Sequence, residues 1–333
     1  MQIFVTGATG FVGGALSRRL VEAGHRVKAL VRPGADLRQL ANMPIQQVNG
    51  RLGDMDALVD GMTGCEWIFH VAALYSFWGY TWQEFYQSNV QGTRNVMEAA
   101  KKVGVQRIVY TSSIAALGLN KDRSPANETT PVSLMDMIGS YKRSKFLAEQ
   151  VASQFANQGL PVVIVNPSAP VGIGDFKPTR TGQVILDFLK RRMFGYVDTG
   201  LNIVDVDDVA NGHLLAAEYG RVGERYILGG EDMSLKRLLD CLAEISGQPQ
   251  VRLHIAHSVA MAWAYFDIGV ARINPRHTPT ATPETVRLSY RYEYFDSSKA
   301  RNELGYSPRP ASQALSKAVE WYRENGYVPS NIR

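Results

Sequence analysis

A chain of 333 residues, 45% hydrophobic and 20% charged, has core enough for one large α/β domain or two smaller ones, which excludes a disordered protein. Its net charge of +5 is dispersed, with no Lys/Arg block to mark a nucleic-acid tail, and its two cysteines stand apart from any CxxC or histidine cluster, which excludes a disulfide scaffold or a metal site. No apolar run reaches the ~18 residues of a membrane span, and a strand beginning at Gln2 leaves no room for a signal peptide, so the expectation is a cytoplasmic, enzyme-sized protein.

Gln2-Ile3-Phe4-Val5 reads as a short apolar strand. Thr6-Gly7-Ala8-Thr9-Gly10-Phe11-Val12-Gly13 follows, then a helical pattern through Leu16, Leu20 and Val21 that stops at Gly24. Strand, glycine turn and helix in that order make a glycine pattern a nucleotide site. Gly7 permits the tight turn, Gly10 lets backbone approach a pyrophosphate, and Gly13 lets the helix pack closely. Thr9, Phe11 and Val12 belong to the same cofactor turn, where the helix N-terminus offers free N–H groups to phosphate.

The second strand runs from Arg26 to Val31. A carboxylate at its end would accept the ribose 2′-hydroxyl of NAD. Arg32 stands there instead, with Arg38 six residues on. A guanidinium forks onto a 2′-phosphate that a carboxylate would repel, so NADP(H) is expected over NAD(H). The other reading makes Arg32 an ordinary surface residue. Ile45 to Val48 reads as the third strand, followed by Asp54 as a further cofactor candidate.

Trp67 to Val71 is the fourth strand, with His70 read as a packed histidine. Ala72 and Ala73 are small enough for backbone to lie against the cofactor. The following loop is aromatic. Tyr75, Phe77 and Trp78 form either an apolar wall for substrate or a cover for the next helix, about Trp82 to Val103. Arg107 to Ser113 is the fifth strand with a polar end, where a Ser113 hydroxyl could donate to a substrate oxygen. Tyr141 and Lys145 are four apart on a helix, so they share a face about one turn apart. An ammonium there would lower the tyrosine pKa and make a proton donor and acceptor.

Thr6 to Gly13, Ser113 and Tyr141-x-x-x-Lys145 together resemble the extended short-chain dehydrogenase/reductases. His70-Val71-Ala72-Ala73, Tyr110-Thr111-Ser112-Ser113, Val165-Asn166-Pro167-Ser168 and Tyr226-Ile227-Leu228-Gly229-Gly230 look like the dihydroflavonol-reductase-like branch. Within it the chain is most similar to the hopanoid-associated sugar epimerases, to about Tyr327. The resemblance implies an α/β fold, a Rossmann-type doubly wound parallel sheet with a smaller C-terminal α/β substrate domain. It implies catalytic Ser113, Tyr141 and Lys145, with Lys145 also holding the nicotinamide ribose and Asn89 supporting the proton relay. Pro167 and Ser168 match the segment beside the nicotinamide. Helices about 82–103 and 140–158 could form a homodimer interface. Arg51 replaces an aspartate near the adenine, and Asp205 stands where relatives tend to have His.

The cofactor domain is expected over 1–168 and the substrate domain over 169–330, with about 200–230 returning to the first sheet. After the sixth strand, Pro161 to Asn166, the chain is punctuated by Pro170, Gly172, Gly174 and Pro178. Asp175, Phe176 and Lys177 are candidate substrate-lining residues there. Asp207 and Asp208 are expected to cap a helix to Tyr219. The apolar stretch Ala256 to Ala271 is expected to close the small domain's core, with a lid or a membrane-surface segment as alternatives.

The expected activity is reduction of a small-molecule carbonyl with NADP(H) as exchangeable reductant. The first alternative is a sugar epimerase that keeps NAD(P) bound; the second is a non-catalytic NADP(H)-sensing protein.

Overall fold

The computed structural model describes residues 1–329 apart from 77, 78, 275, 276, 278, 280 and 290. Its first half alternates strand and helix. The elements are β1 (Gln2–Thr6), α1 (Phe11–Glu22), β2 (Arg26–Val31), β3 (Ile45–Asn49), α2 (Met55–Met62), β4 (Trp67–His70), α3 (Trp82–Phe85), α4 (Gly92–Val103), β5 (Arg107–Thr111), α5 (Gly139–Asn157) and β6 (Val162–Pro167). The second half adds β7 (Ala169–Val171), α6 (Arg180–Leu189), β8 (Gly195–Tyr196), β9 (Gly200–Asp205), α7 (Val206–Tyr219), β10 (Arg225–Leu228), β11 (Glu231–Ser234) and α8 (Leu235–Ser246). It ends with β12 (Leu253–His254), α9 (His257–Ile273), α10 (Pro283–Leu288), β13 (Tyr292–Glu293), α11 (Ser298–Leu304) and α12 (Ala311–Glu324).

Seven strands form one parallel sheet in the order β10-β6-β5-β4-β1-β2-β3. The inner strands are largely apolar because helices cover both faces, whereas the edge strand β3, Ile-Gln-Gln-Val-Asn, is only partly buried. Ile3, Phe4, Val5, Ile68, Phe69, Ile108 and Val109 are all fully buried. One face packs against α1 and α7, the other against α2, α4 and α5. Each such side chain contributes about 1.5–3 kcal/mol by leaving water. The order reverses direction between β1 and β4, and there the loops diverge to leave a crevice beyond the strand C-termini.

A smaller sheet joins β11, β9, β13 and β7. The 200–230 segment divides between the two sheets: β9 lies in the smaller one, whereas β10 pairs with β6 and α7 packs on α1. The α7 cap is Asp205, not Asp207 or Asp208: its Oδ1 accepts from the Asp207 N–H at 2.9 Å. Fully buried Asp205 also meets Lys317 at 3.0 Å and Arg309 at 3.2 Å, which ties α12 to α7. The helix expected over 82–103 is interrupted by a π-helical turn, Tyr86–Gln91, which carries Asn89. The expectation that Ala256 to Ala271 closes a core is overturned, since only Ala264 and Asp267 of α9 are buried.

Candidate active site

The loop after β1 is built by its glycines. Gly7 adopts φ +81°, and a Cβ there would lie 2.6 Å from the Ala72 nitrogen. A Cβ on Gly13 would lie 2.0 Å from the Gly7 carbonyl oxygen, so Gly13 is required by the turn itself. At Gly10 the nearest atom to a Cβ is 3.3 Å away, leaving its outer side open. Gly10 donates to Gly7 O and caps α1, whose first turn has no acidic residue, so its N–H groups present an uncompensated positive end.

Thr9, Gly10 and Phe11 line a cavity of about 60 Å³ together with Asp36, Gln39, Gly174, Asp175, Phe176 and Lys177. Three expected substrate residues therefore lie at the glycine loop. Asp175 is a structural acid: 2% exposed, it accepts from the Thr179 N–H, the Thr179 hydroxyl and the Tyr322 hydroxyl. Phe176 packs edge-on against Trp321 at 5.1 Å and lies under the Arg38 guanidinium at 4.7 Å. The Gln39 amide donates to Gly174 O and pins this segment over the loop.

Arg32 is exposed just beyond β2. Arg38 is already engaged, with its Nε 3.1 Å and Nη2 2.6 Å from the Asp36 carboxylate. The Arg38 hydrogen bond holds the Asp36 carboxyl down at about 2. Asp54, expected at the cofactor, caps α2 by accepting from the Ala57 N–H at 3.0 Å.

A hydrogen-bonded chain links the loop to the catalytic-candidate helix. Burial, reinforced by the Lys145 charge, lowers the His70 pKa to about 3, so its imidazole is neutral. Thr93 donates to Asn89 O at 2.7 Å, so it must accept from His70 Nε2 at 3.0 Å. Nδ1 then accepts from the Thr6 hydroxyl at 2.7 Å. Asn89, 2% exposed, holds Leu74 at both backbone groups and donates to Ser144 Oγ at 2.9 Å. Ser144 in turn donates to Tyr141 O at 2.8 Å. His70 is thus the packed histidine expected from its apolar strand.

α5 starts at Gly139, whose φ of +83° turns the chain into the helix. Its inner face, Ala148, Val151, Ala152 and Phe155, packs on the sheet, which leaves Tyr141 and Lys145 at the crevice. Ser113, at the end of β5, accepts from the Ala115 N–H at 3.1 Å and hydrogen-bonds the Tyr141 hydroxyl. Its carbonyl is fixed by Asn166 Nδ2 at 3.0 Å. Lys145 Nζ donates to Thr111 O at 2.7 Å and reaches Tyr110 OH at 3.3 Å. Burial lowers the ammonium to about 8, against Glu149, which raises it.

The expected drop in the tyrosine pKa is reversed. Burial pushes the Tyr141 phenol above its ordinary range, and Tyr75 and Glu293 push the same way against the Ser113 hydrogen bond. The Tyr141 phenol is therefore held protonated in this arrangement, not as a resident phenolate.

Tyr75 does stand in the site, its ring edge-on to Tyr141 at 4.9 Å and 84°. Although the residue is 46% exposed, desolvation of its hydroxyl raises that group's pKa, with the Arg180 charge and backbone N–H acting against it. Phe77 and Trp78 lie outside the described residues. Ala72 follows β4 at the Gly7 turn, with Ala73 next to it, and Pro167 ends β6. The next residue, Ser168, has a buried hydroxyl without a protein partner. Sequence reasoning missed Lys142, Arg180 and Glu293 at this site, since nothing local in the chain marks them.

A cradle that excludes side chains at Gly7 and Gly13, the open helix end and the unpaired Ser168 hydroxyl fit a dinucleotide laid from the glycine loop towards Tyr141. The family model of the NAD dependent epimerase/dehydratase family matches residues 3–229. The chain belongs to that family. It is 46% identical over 329 residues to a Synechocystis protein carrying the provisional name dihydroflavonol 4-reductase, covering 98% of this chain and 95% of that one. It is 37% identical to sterol demethylase protein B of Methylococcus capsulatus, covering 98% and 100%. The crystal structure of gox2253 superposes with a TM-score of 0.88 at 46% identity, covering 98% and 99%. Reductases and dehydrogenases recur among the relatives of this family member, so it is an NAD(P)-dependent oxidoreductase. No helix among the described residues is long and apolar enough to cross a membrane, and no metal-ligand cluster is present among them.

Proposed function

We propose that this family member is an NADP(H)-dependent carbonyl reductase in which Ser113, Tyr141 and Lys145 act on the substrate. The observation that carries the reading is the Tyr141 phenol, kept protonated by burial and hydrogen-bonded to Ser113 at the open end of the sheet. When bound, the nicotinamide supplies the hydride to the carbonyl carbon. Tyr141 gives its proton to the carbonyl oxygen, which leaves as the alcohol, and the phenolate recovers a proton from solvent. Ser113 donates a hydrogen bond to that oxygen as negative charge develops. Lys145, a cation held one helical turn away, favours the transient phenolate and is placed to hold the nicotinamide ribose.

Gly7, Thr9, Gly10, Phe11, Val12 and Gly13 would carry the pyrophosphate, with Ala72, Ala73, Pro167 and Ser168 along the dinucleotide. Arg32 is the free guanidinium for a 2′-phosphate, since Arg38 is held by Asp36. The apolar ring of Tyr75 favours an apolar ketone or aldehyde over a bare sugar. α4 and α5 could pair with a second copy.

The test is cofactor consumption. Loss of NADPH absorbance with apolar ketones, slower with NADH, is the expected result. A protein that purifies with NAD(P) bound and interconverts sugars without net consumption would be the epimerase instead. Tyr141→Phe should abolish turnover and keep cofactor affinity; unchanged turnover would remove the catalytic assignment. Arg32→Asp should weaken NADPH far more than NADH, and equal weakening would refute the 2′-phosphate role.

A further inference from the structure

α9 carries an outward apolar stripe. Val259, Trp263, Phe266 and Ile273 follow one another at 4, 3 and 7 residues, which places them on one helix face, and they are 59%, 53%, 62% and 87% exposed. Tyr265 is also exposed, off this stripe. The side next to this stripe is different: Ala264 and Asp267 are buried, and Asp267, the only acid in the helix, turns inward to His277 and the Ala281 N–H. The exposed face therefore has no negative charge.

β12 pairs with β8, and the Ile255 N–H donates to Tyr196 O, so Phe194 and Leu253 sit on the ribbon that leads into α9. They are 78% and 56% exposed. Arg191, Arg192, Arg252 and Arg272 lie exposed on these same segments.

We propose that this face docks on the surface of a bilayer containing anionic phospholipid, with α9 lying in the plane of the interface. Tryptophan and tyrosine suit the headgroup level, where one part of the ring is dry and its polar end is wet. Phenylalanine and isoleucine gain by entering the acyl boundary, and a flanking set of arginines attracts anionic headgroups. Charge complementarity also decides against a second copy as occupant. A two-fold contact through this face would bring two arginine-rich rims together with no exposed acid on α9 to compensate. The proposal rests on this surface alone, independently of the cofactor and substrate.

The full chain is mixed with vesicles of phosphatidylcholine alone or with phosphatidylglycerol added, and the pelleted fraction is measured. Binding to the mixed vesicles, weaker to neutral ones and weakened by salt, is expected. Trp263→Ser with Phe266→Ser should weaken vesicle affinity by about tenfold or more while circular dichroism stays native. Arg191→Ser with Arg192→Ser should flatten the salt dependence. Should the first pair not fold, Phe194→Ser and Ile273→Ser at the most exposed positions replace it. No pelleting with either vesicle, or pelleting that the apolar variants retain, would overturn the proposal. So would a dimer in light scattering that the same variants split, which would make the face a self-interface.

Discussion

Lys142 Nζ donates to Glu293 Oε1 at 2.5 Å across 151 positions of sequence. The two side chains are 10% and 21% exposed, so the pair is largely withdrawn from water. It fastens the start of α5, the residue after Tyr141, to β13 of the smaller sheet. Its carboxylate also opposes ionisation of both Tyr141 and Tyr75. Breaking one side should leave a poorly solvated charge, at a cost of order 3 kcal/mol. Glu293→Gln is expected to lower the urea midpoint, and Lys142→Met combined with it should recover most of the loss. A double-mutant cycle with no coupling would show that the contact contributes nothing.

Two glycines of the loop should separate folding from binding. Gly13→Ala places a methyl 2.0 Å from Gly7 O and should lower the melting temperature and cofactor affinity together. Gly10→Ala meets nothing closer than 3.3 Å and should leave melting nearly unchanged while weakening cofactor affinity. Equal loss of melting temperature in both variants would contradict the steric account.

Lys145 should set a basic limb in the activity profile. Its folded value near 8 lies below the ordinary 10.5, so between those values the unfolded chain holds more protons. The residue's contribution to stability therefore rises with pH through that window, while its cationic role fades. kcat/KM should fall as pH rises past about 8. Lys145→Met should remove that limb along with most of the activity; a limb that persists in the residual activity belongs to another group.

Two buried histidines predict acid sensitivity. His70 and His213 are held neutral by burial, with values of about 3 and about 4 against an ordinary 6.5. The unfolded chain protonates first as pH falls, so stability drops by about 1.4 kcal/mol per pH unit for each histidine inside its window. Urea unfolding at pH 7 and pH 5 measures this. His213, which donates to Val209 O and accepts from Thr111, lies on the far side of the sheet from His70, so His213→Gln should flatten part of the slope without altering His70.

Asp175 separates structure from specificity. Its carboxylate binds Thr179 and Tyr322, so Asp175→Asn should lower the melting temperature by several degrees and change KM for the carbonyl little. The reverse pattern would restore it to the substrate space.

The inner strands of the main sheet, β1, β2, β4, β5 and β6, were legible in the sequence because a strand covered on both faces is largely apolar along its length, and the turn after β1 carries glycines. The loop at Gly7 to Gly13, Ser113 and the Tyr141/Lys145 spacing were legible for a similar reason, since each is a local pattern within a few residues of a strand or helix end. Even so, the pattern placed Tyr141 and Lys145 on one face without saying which effect governs the phenol. Burial does, and burial is a property of what packs around it. The short strands outside the main sheet, β7, β8 and β11 to β13, have too few residues to show a period, and their partners lie far away in the chain. The destinations of Asp175, Arg38 and Asp54 were equally hidden, because a carboxylate or guanidinium reads the same whether it meets a ligand or a neighbour. The sequence alone determined the Rossmann sheet, its glycine turn and the residues placed at its open end. Only the tertiary structure decided that Glu293 stands beside Tyr141, that Phe176 faces the glycine loop and that α9 turns its apolar side outward, since each depends on which distant surfaces meet when the chain closes.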